Sequence, residues 1–253
     1  MLLEIRGLTK YFGGLGAVVQ FDMVVNEREI VGLIGPNGAG KTTIFNLVTG
    51  VLQPTKGKLT FDGEDITGQK SHVIADRGIG RTFQLNPLFA DFTVLENVVA
   101  SFHLRPKSSL FDAYFNTATY RRNEAYILEQ SLEILKLVGL DEVKDELAKN
   151  LPHGYQKMLG LARALAVKPK LLLLDEPLGG MNPEEIEFTM TAIRKTQQQG
   201  VSIVLVEHNM RIMELCDRVI VINFGEKIAE GTPEEVRENK EVIQAYFGGE
   251  HVA

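Results

Sequence analysis

Gly35-Pro36-Asn37-Gly38-Ala39-Gly40-Lys41-Thr42-Thr43 is the stretch on which the fold turns. It has the form G-x-x-x-x-G-K-[ST] and follows Ile30-Val31-Gly32-Leu33-Ile34, a short, apolar, partly β-branched run that reads as a buried strand. Thr42 to Thr49 reads as the opening of a helix. Strand, loop and helix in that order make a phosphate cradle. Glycines let the backbone wrap an anion, so that successive N–H groups and the positive end of the helix face it. Lys41 then reaches the β- and γ-phosphates and the Thr42 hydroxyl reaches Mg2+. Gly35 through Thr43 are therefore the candidate ATP-binding residues.

Outward from the loop, composition sets bounds. The chain has 253 residues, 44% hydrophobic and 24% charged, enough for one large α/β domain with a subdomain and a substantial core. It holds no apolar run long enough to cross a bilayer. The segment Met1 to Arg6 lacks a basic region followed by an apolar core, so a secretory signal is not expected. A single cysteine, Cys216, excludes an internal disulfide framework, and a cytoplasmic location is the expectation. The net charge of −6 argues against a nucleic-acid partner.

Leu2 to Arg6 and Lys58 to Phe61 read as strands, with a tight turn at Asp62-Gly63 before Glu64-Ile66, which suggests a β subdomain beside the loop. From about Asp91 to Lys168 the pattern becomes helical, most clearly where Leu128, Leu132 and Leu135 recur at i, i+4 and i+7 beside Ile127, Ile134 and Val138. Leu104 to Arg122 is the least regular part. After Lys168 strands and helices alternate: Leu171 to Leu174, a helix from Pro183, Ser202 to Val206, a helix from Asn209, then Val219 to Ile222. That alternation predicts a parallel sheet covered by helices. Asn182-Pro183-Glu184-Glu185 predicts a capped helix start, and Gly200 its end.

Leu171-Leu172-Leu173-Leu174-Asp175-Glu176 is a buried strand that delivers two acids to the ligand-binding edge of a sheet. Asp175 is the candidate Mg2+ ligand, through water, and Glu176 the candidate general base for an attacking water. The strand Val201 to Val206 ends in Glu207-His208, which in a parallel sheet puts His208 at the same edge, able to touch the γ-phosphate and position Glu176. Gln84, in Arg81-Thr82-Phe83-Gln84, has an amide suited to the Mg2+ shell. Phe12 or Tyr11, ahead of Gly13-Gly14, is the candidate to stack on adenine; the alternative is a core aromatic. The scattered histidines show no metal-cage spacing, and G-x-S-x-G and G-x-G-x-x-G are absent.

Taken together, GPNGAGKTT, Gln84, Leu151 to Gln156 (LPHGYQ), LLLLDEP ending at Pro177, GGMNP at Gly179 to Pro183, and EHN around His208 resemble the ATPase subunits of ABC transporters. Within that family the RTFQ segment, the Leu104 to Arg122 insertion and the ending from Glu230 to Phe247 resemble the ATPases of branched-chain amino acid importers. The resemblance covers essentially the whole chain. It implies an ABC-type P-loop NTPase fold: a mostly parallel core sheet, an antiparallel β subdomain and an inserted helical subdomain. The core and β subdomain would take residues 1–90 and 169–253; about 91–168 would be helical and carry the signature.

The resemblance also implies a head-to-tail pair of ATPase subunits, identical or paralogous, in which the loop of one faces the signature of the other across ATP. Leu151, Pro152, His153, Gly154, Tyr155 and Gln156 take the signature positions, and Asn182 lies in the loop that meets the partner. Two departures from the family pattern stand out. Pro152 replaces the usual serine and has neither hydroxyl nor N–H, leaving His153 as a substitute donor. Asn182 replaces the usual aspartate and carries no charge. The implied partners are transmembrane permease subunits, met through Arg77 to Glu96 with Leu85, Pro87, Leu88, Phe89 and Phe92, and indirectly an external substrate-binding protein. The implied location is the inner face of the cell membrane. A soluble ABC-type ATPase of DNA repair or translation would usually carry a long coiled coil or a second ATPase domain, and the sequence has neither. A nucleotide-dependent dimerisation module with weak turnover is the reading that the altered signature leaves open.

Overall fold

The computed structural model describes residues 1–82, 88–102, 112, 114–207 and 210–247. The chain divides into two compact units, Met1–Arg81 with Lys170–Gly179 and Thr196–Ala253, and Thr82–Pro169 with Gly180–Lys195.

In the first unit, β1 (Leu3–Phe12), β2 (Leu15–Val25), β4 (Lys56–Phe61) and β5 (Glu64–Asp65) form an antiparallel sheet in the order β2-β1-β4-β5. The β4–β5 turn is the one expected at Asp62-Gly63, both residues having positive φ (50° and 78°), as a two-residue hairpin of this twist requires. β1 runs well past Arg6, and β2 was not anticipated: its polar residues and bulged register hide the two-residue alternation. The second sheet has the order β10-β9-β3-β8-β7-β6. Here β3 (Ile30–Ile34), β6 (Ile79–Arg81), β7 (Leu171–Asp175), β8 (Ser202–Val206) and β9 (Arg218–Asn223) are parallel, and β10 (Glu226–Gly231) pairs antiparallel on β9. β3, β7 and β8 are buried at every residue, the pattern of central strands covered on both faces.

One apolar cluster joins the two sheets. Leu3, Ile5, Leu8, Phe21 and Phe61 of the antiparallel sheet meet Val31, Leu33, Leu171, Leu173, Val204 and Val206, with Ile44, Phe45, Leu47 and Val48 of α1 (Lys41–Val48) in the same cluster. The alternate residues Leu172, Leu174, Ile203 and Leu205 are equally buried. The helix expected from Asn209 is, over the described residues, a 3-10 turn at Met210–Leu215. It is short because Cys216 must return within van der Waals contact of Gly32, and Asp217 must bond Ile30, before β9 begins.

In the second unit α3 (Val94–Phe102; α2 is Ser71–Arg77 of the first unit), α4 (Ala118–Leu137) and α5 (His153–Ala166) pack together. α6 (Pro183–Gln198) starts in this unit and ends in the other. The helix expected from the Leu128, Leu132, Leu135 stripe exists, but the buried face is shifted. Ile127, Ser131 and Leu135 are buried while Leu128 and Leu132 are 46% and 36% exposed. The i, i+4, i+8 line through Ile127 carries a serine at its centre, small enough for neighbouring helices to come close, and packing selects it over the more apolar stripe.

Candidate functional site

α1 begins directly after Gly40, which has φ 108°; no side chain caps this helix and its first turn holds no acid. Its first N–H groups are thus directed at the loop with no protein anion competing for them. The loop is pressed between β2 and β9. A Cβ on Gly40 would sit 2.5 Å from the Ala17 carbonyl oxygen, and one on Gly35 2.1 Å from that of Ile222. Lys41 is buried, and its Nζ donates to the carbonyls of Gly35 (2.5 Å) and Pro36 (2.9 Å). Burial pulls its pKa below that of an ordinary lysine, against the opposing pull of Glu176 and Asp175.

Because β3, β8 and β7 are neighbouring parallel strands, their C-terminal ends share one edge of the sheet. That edge brings together the phosphate loop, Asp175 and Glu176, as the sequence predicted for the ends of β3 and β7. Asp175, the last residue of β7, is buried, and its Oδ2 accepts from Arg81 Nη2 at 2.9 Å. Glu176 stands just beyond, at φ 47°, a left-handed conformation that costs a non-glycine residue about 1–3 kcal/mol. Its N–H is held by the Val206 carbonyl at 2.9 Å.

Three contributors escaped the sequence reading. Arg81 is one, and only the parallel pairing of β6 with β7 brings it to Asp175. The second is Glu207, almost fully buried, whose Oε1 accepts from the Leu178 N–H at 2.7 Å and so ties the end of β8 to the turn after Glu176. Its signal was available: a carboxylate directly after four apolar strand residues. The third is Tyr246 of α8 (Lys240–Phe247; α7 is Pro233–Glu238). Its hydroxyl is buried against the Gly35 backbone without a hydrogen bond of normal geometry, and burial pushes it up to about 12. Gln84 and His208 lie outside the described residues; Glu207, next to His208 in sequence, is where β8 has already delivered the chain to this edge. Phe12 and Tyr11 end β1 with 48% and 42% of their surface exposed, so neither is a core aromatic. Among the described residues no group of three or more His, Cys, Asp or Glu side chains could cage a metal.

The helical unit holds the other candidates. Pro152 occupies the N-cap of α5 at φ −54° and ψ 155°, and supplies no side-chain cap. The Leu151 and Pro152 carbonyls accept from the Gln156 side-chain amide and backbone N–H, both at 3.0 Å. His153 lies against Gly180, and Tyr155 is 38% exposed. At the start of α6, Asn182 Oδ1 accepts from Glu185 N–H (3.0 Å) while Glu185 Oε2 accepts from Asn182 N–H (2.9 Å), a reciprocal cap. The other Glu185 oxygen sits against Gly154. Leu151, Pro152, Gly154, Tyr155 and Asn182 all line one cavity of about 750 Å³ within this unit. Phe89 and Phe92, both 45% exposed, pack as a tilted pair with ring centroids 5.1 Å apart, and Asn97 holds their loop by hydrogen bonds to the Phe89 N–H (2.9 Å) and carbonyl (3.0 Å). Leu85 and Pro87 of the same expected surface lie outside the described residues.

Comparison with known proteins places these features in context. The ABC transporter family model matches residues 18–179, and a model of the branched-chain amino acid ATP-binding cassette transporter matches residues 226–252. The chain is 41% identical to the high-affinity branched-chain amino acid transport ATP-binding protein BraF of Pseudomonas aeruginosa, over 98% of each chain. It is 40% identical to the LivG protein of the same description from Escherichia coli K12, again over 98% of each. Among solved structures, it is similar to a nucleotide-free ATP-binding cassette from an ABC transporter, with 29% identity, a TM-score of 0.84, and coverage of 98% of this chain and 99% of that one.

Proposed function

Because this chain belongs to the ABC transporter ATP-binding family, we propose that it is the ATP-hydrolysing subunit of an importer of branched-chain amino acids, with its chemistry at the shared end of β3, β7 and β8. The observation that carries this reading is the meeting, at one sheet edge, of an uncapped helix N-terminus, a buried lysine and two adjacent carboxylates. The α1 N–H groups and Lys41 bind the phosphates, and Lys41 exchanges its two loop carbonyls for phosphate oxygens. Phe12 or Tyr11 stacks on the base.

The donor set suits Mg2+. Asp175 and the exposed Thr42 hydroxyl are hard oxygen ligands, and Mg2+ is commonly held by one or two such groups while it keeps waters and phosphate oxygens in its shell. When bound, Mg2+ supplies charge neutralisation on the phosphates. Glu176, half-buried one residue past the buried Asp175 and at φ 47°, takes the proton from the attacking water. His208 and Gln84 are assigned to the γ-phosphate and the metal shell from their sequence positions.

Completion of the site requires a second ATPase subunit, whose α5 N-terminus faces the phosphates in trans, with its dipole and the His153 ring standing in for the missing hydroxyl. Asn182 has its oxygen committed to the α6 cap, so its bond across the interface is donated by the side-chain NH2. The Phe89–Phe92 pair forms the apolar contact for a permease. No helix among the described residues is long and apolar enough to cross a membrane, and attachment to the inner face of the cell membrane runs through that permease. Reconstitution with permease and binding protein tests the proposal. ATP hydrolysis and uptake of labelled leucine should both depend on Mg2+ and both fall by about 10²-fold or more in Glu176→Gln. Hydrolysis close to the wild-type rate in this variant overturns the assignment of the base, and uptake of an unrelated solute in place of leucine overturns the substrate.

A further inference from the structure

Arg81 ties two elements of the proposed site to each other. It closes β6, and its side chain and that of Asp175 are each only 6% exposed. Nη2 donates to Asp175 Oδ2 at 2.9 Å, while Nη1 donates to Asn46 Oδ1 at 2.7 Å and to Thr49 Oγ1 at 3.3 Å. The guanidinium also lies 5.5 Å from the centroid of the Phe45 ring. Phe45 and Asn46 belong to α1, the helix that starts at the phosphate loop, and Thr49 caps its end. A single fork of donors thus spans the phosphate-loop helix and the carboxylate at the end of β7, an arrangement that lysine, with one point charge, does not reproduce.

We propose that Arg81 is a positioning residue of the metal–nucleotide site: it holds Asp175 by Oδ2 in competition with a divalent cation, and so sets the Mg2+ concentration at which the site fills. The inference rests on the assignment of Asp175 to Mg2+ made above. A cation arriving at this carboxylate meets the Arg81 guanidinium already bonded to it. The same fork carries the consequence to α1: any shift of Asp175 toward a cation changes the geometry of the Asn46 and Thr49 contacts. Metal binding at the end of β7 and the seating of the phosphate-loop helix are thereby linked by one side chain.

The test is a Mg2+ titration of ATP binding to the full chain, followed by calorimetry and, separately, by the rise in unfolding temperature. Arg81→Met removes the competing charge without introducing a new one. The Mg2+ concentration for half-maximal effect should fall by about tenfold, a value between the weak charge–charge interaction of bulk water and the stronger one near a protein surface. ATP binding measured in the presence of a chelator should change by less. Arg81→Lys keeps a charge but loses the fork, so it should lower the half-saturation point by a smaller factor; it also serves if Arg81→Met does not fold. An unchanged or raised half-saturation point in the folded variant overturns the inference. Asp175→Asn separates the two levels. If it leaves the Mg2+ dependence intact, the metal assignment itself fails; if it abolishes that dependence while the Arg81 variants behave as wild type, only the role of Arg81 fails.

Discussion

The two units of this protein treat their functional residues in opposite ways. Around the phosphate loop the groups are committed to one another: Lys41 to loop carbonyls, Asp175 to Arg81, Glu207 to Leu178, and Gly35 and Gly40 to backbone that leaves no room for a methyl group. At the signature the groups are held from behind and open in front. Asn182 and Glu185 cap each other, Gln156 closes on Leu151, and Pro152, Tyr155 and Asn182 are exposed. We read the difference as that between a site preorganised, at the cost of strain and burial, for a highly charged ligand and a proposed contact surface that stays in water until a second subunit covers it.

The contrast can be broken most severely at the base. Glu176→Gln should lower hydrolysis by about 10²–10⁴-fold with ATP binding retained, the usual worth of a general base. Steady-state phosphate release and equilibrium binding on the same preparation decide it, and comparable losses in both would place Glu176 in binding instead. A pair of glycine substitutions compares the units directly. Gly40→Ala forces a methyl group into the Ala17 carbonyl at a positive φ and should cost about 3 kcal/mol of stability. Gly154→Ala meets only the end of the Glu185 side chain, which can swing aside at the expense of its hydrogen bond to the Asn182 N–H, and should cost about 1 kcal/mol. Denaturant unfolding of the two variants reads the difference, and equal losses would erase the contrast.

Strain at Glu176 offers a smaller effect of opposite sign. Glu176→Gly should stabilise the fold by about 1 kcal/mol while destroying turnover, because glycine adopts φ 47° without penalty. At the signature, Pro152→Ser supplies the missing cap and should stabilise α5 by roughly 0.5–1 kcal/mol. If His153 already serves as the donor in trans, turnover changes little; a large rise would show that proline limits it.

The smallest effect is the pH dependence of Lys41. Its folded pKa is held below the ordinary 10.5 by burial, so between those values the unfolded chain binds more protons than the folded one. Stability of the wild type should therefore rise with pH in that window relative to Lys41→Met, and thermal unfolding from neutral to alkaline pH checks the sign. The same substitution should weaken ATP binding.

Much of this was legible in the sequence because the informative residues are local. The phosphate loop, the strand that ends in Asp175-Glu176 and the Asn182-Pro183 cap each lie within a few residues, where glycine, proline and apolar runs act through backbone sterics alone. The misses were choices made by packing. The α4 stripe through Leu128 and Leu132 is the more apolar one, yet the face through Ser131 is buried because neighbouring helices approach it. β2 was invisible because bulges break its alternation.

By itself the sequence determined a phosphate-binding α/β fold with its chemistry at strand ends, because a nine-residue loop and the strands flanking it encode their conformation locally. Only the tertiary structure decided what stands beside that chemistry. Arg81 and Asp175 are 94 residues apart in the chain, and a buried carboxylate takes whatever cation the sheet order places next to it. Strand order is a property of the folded chain, and no local pattern states it.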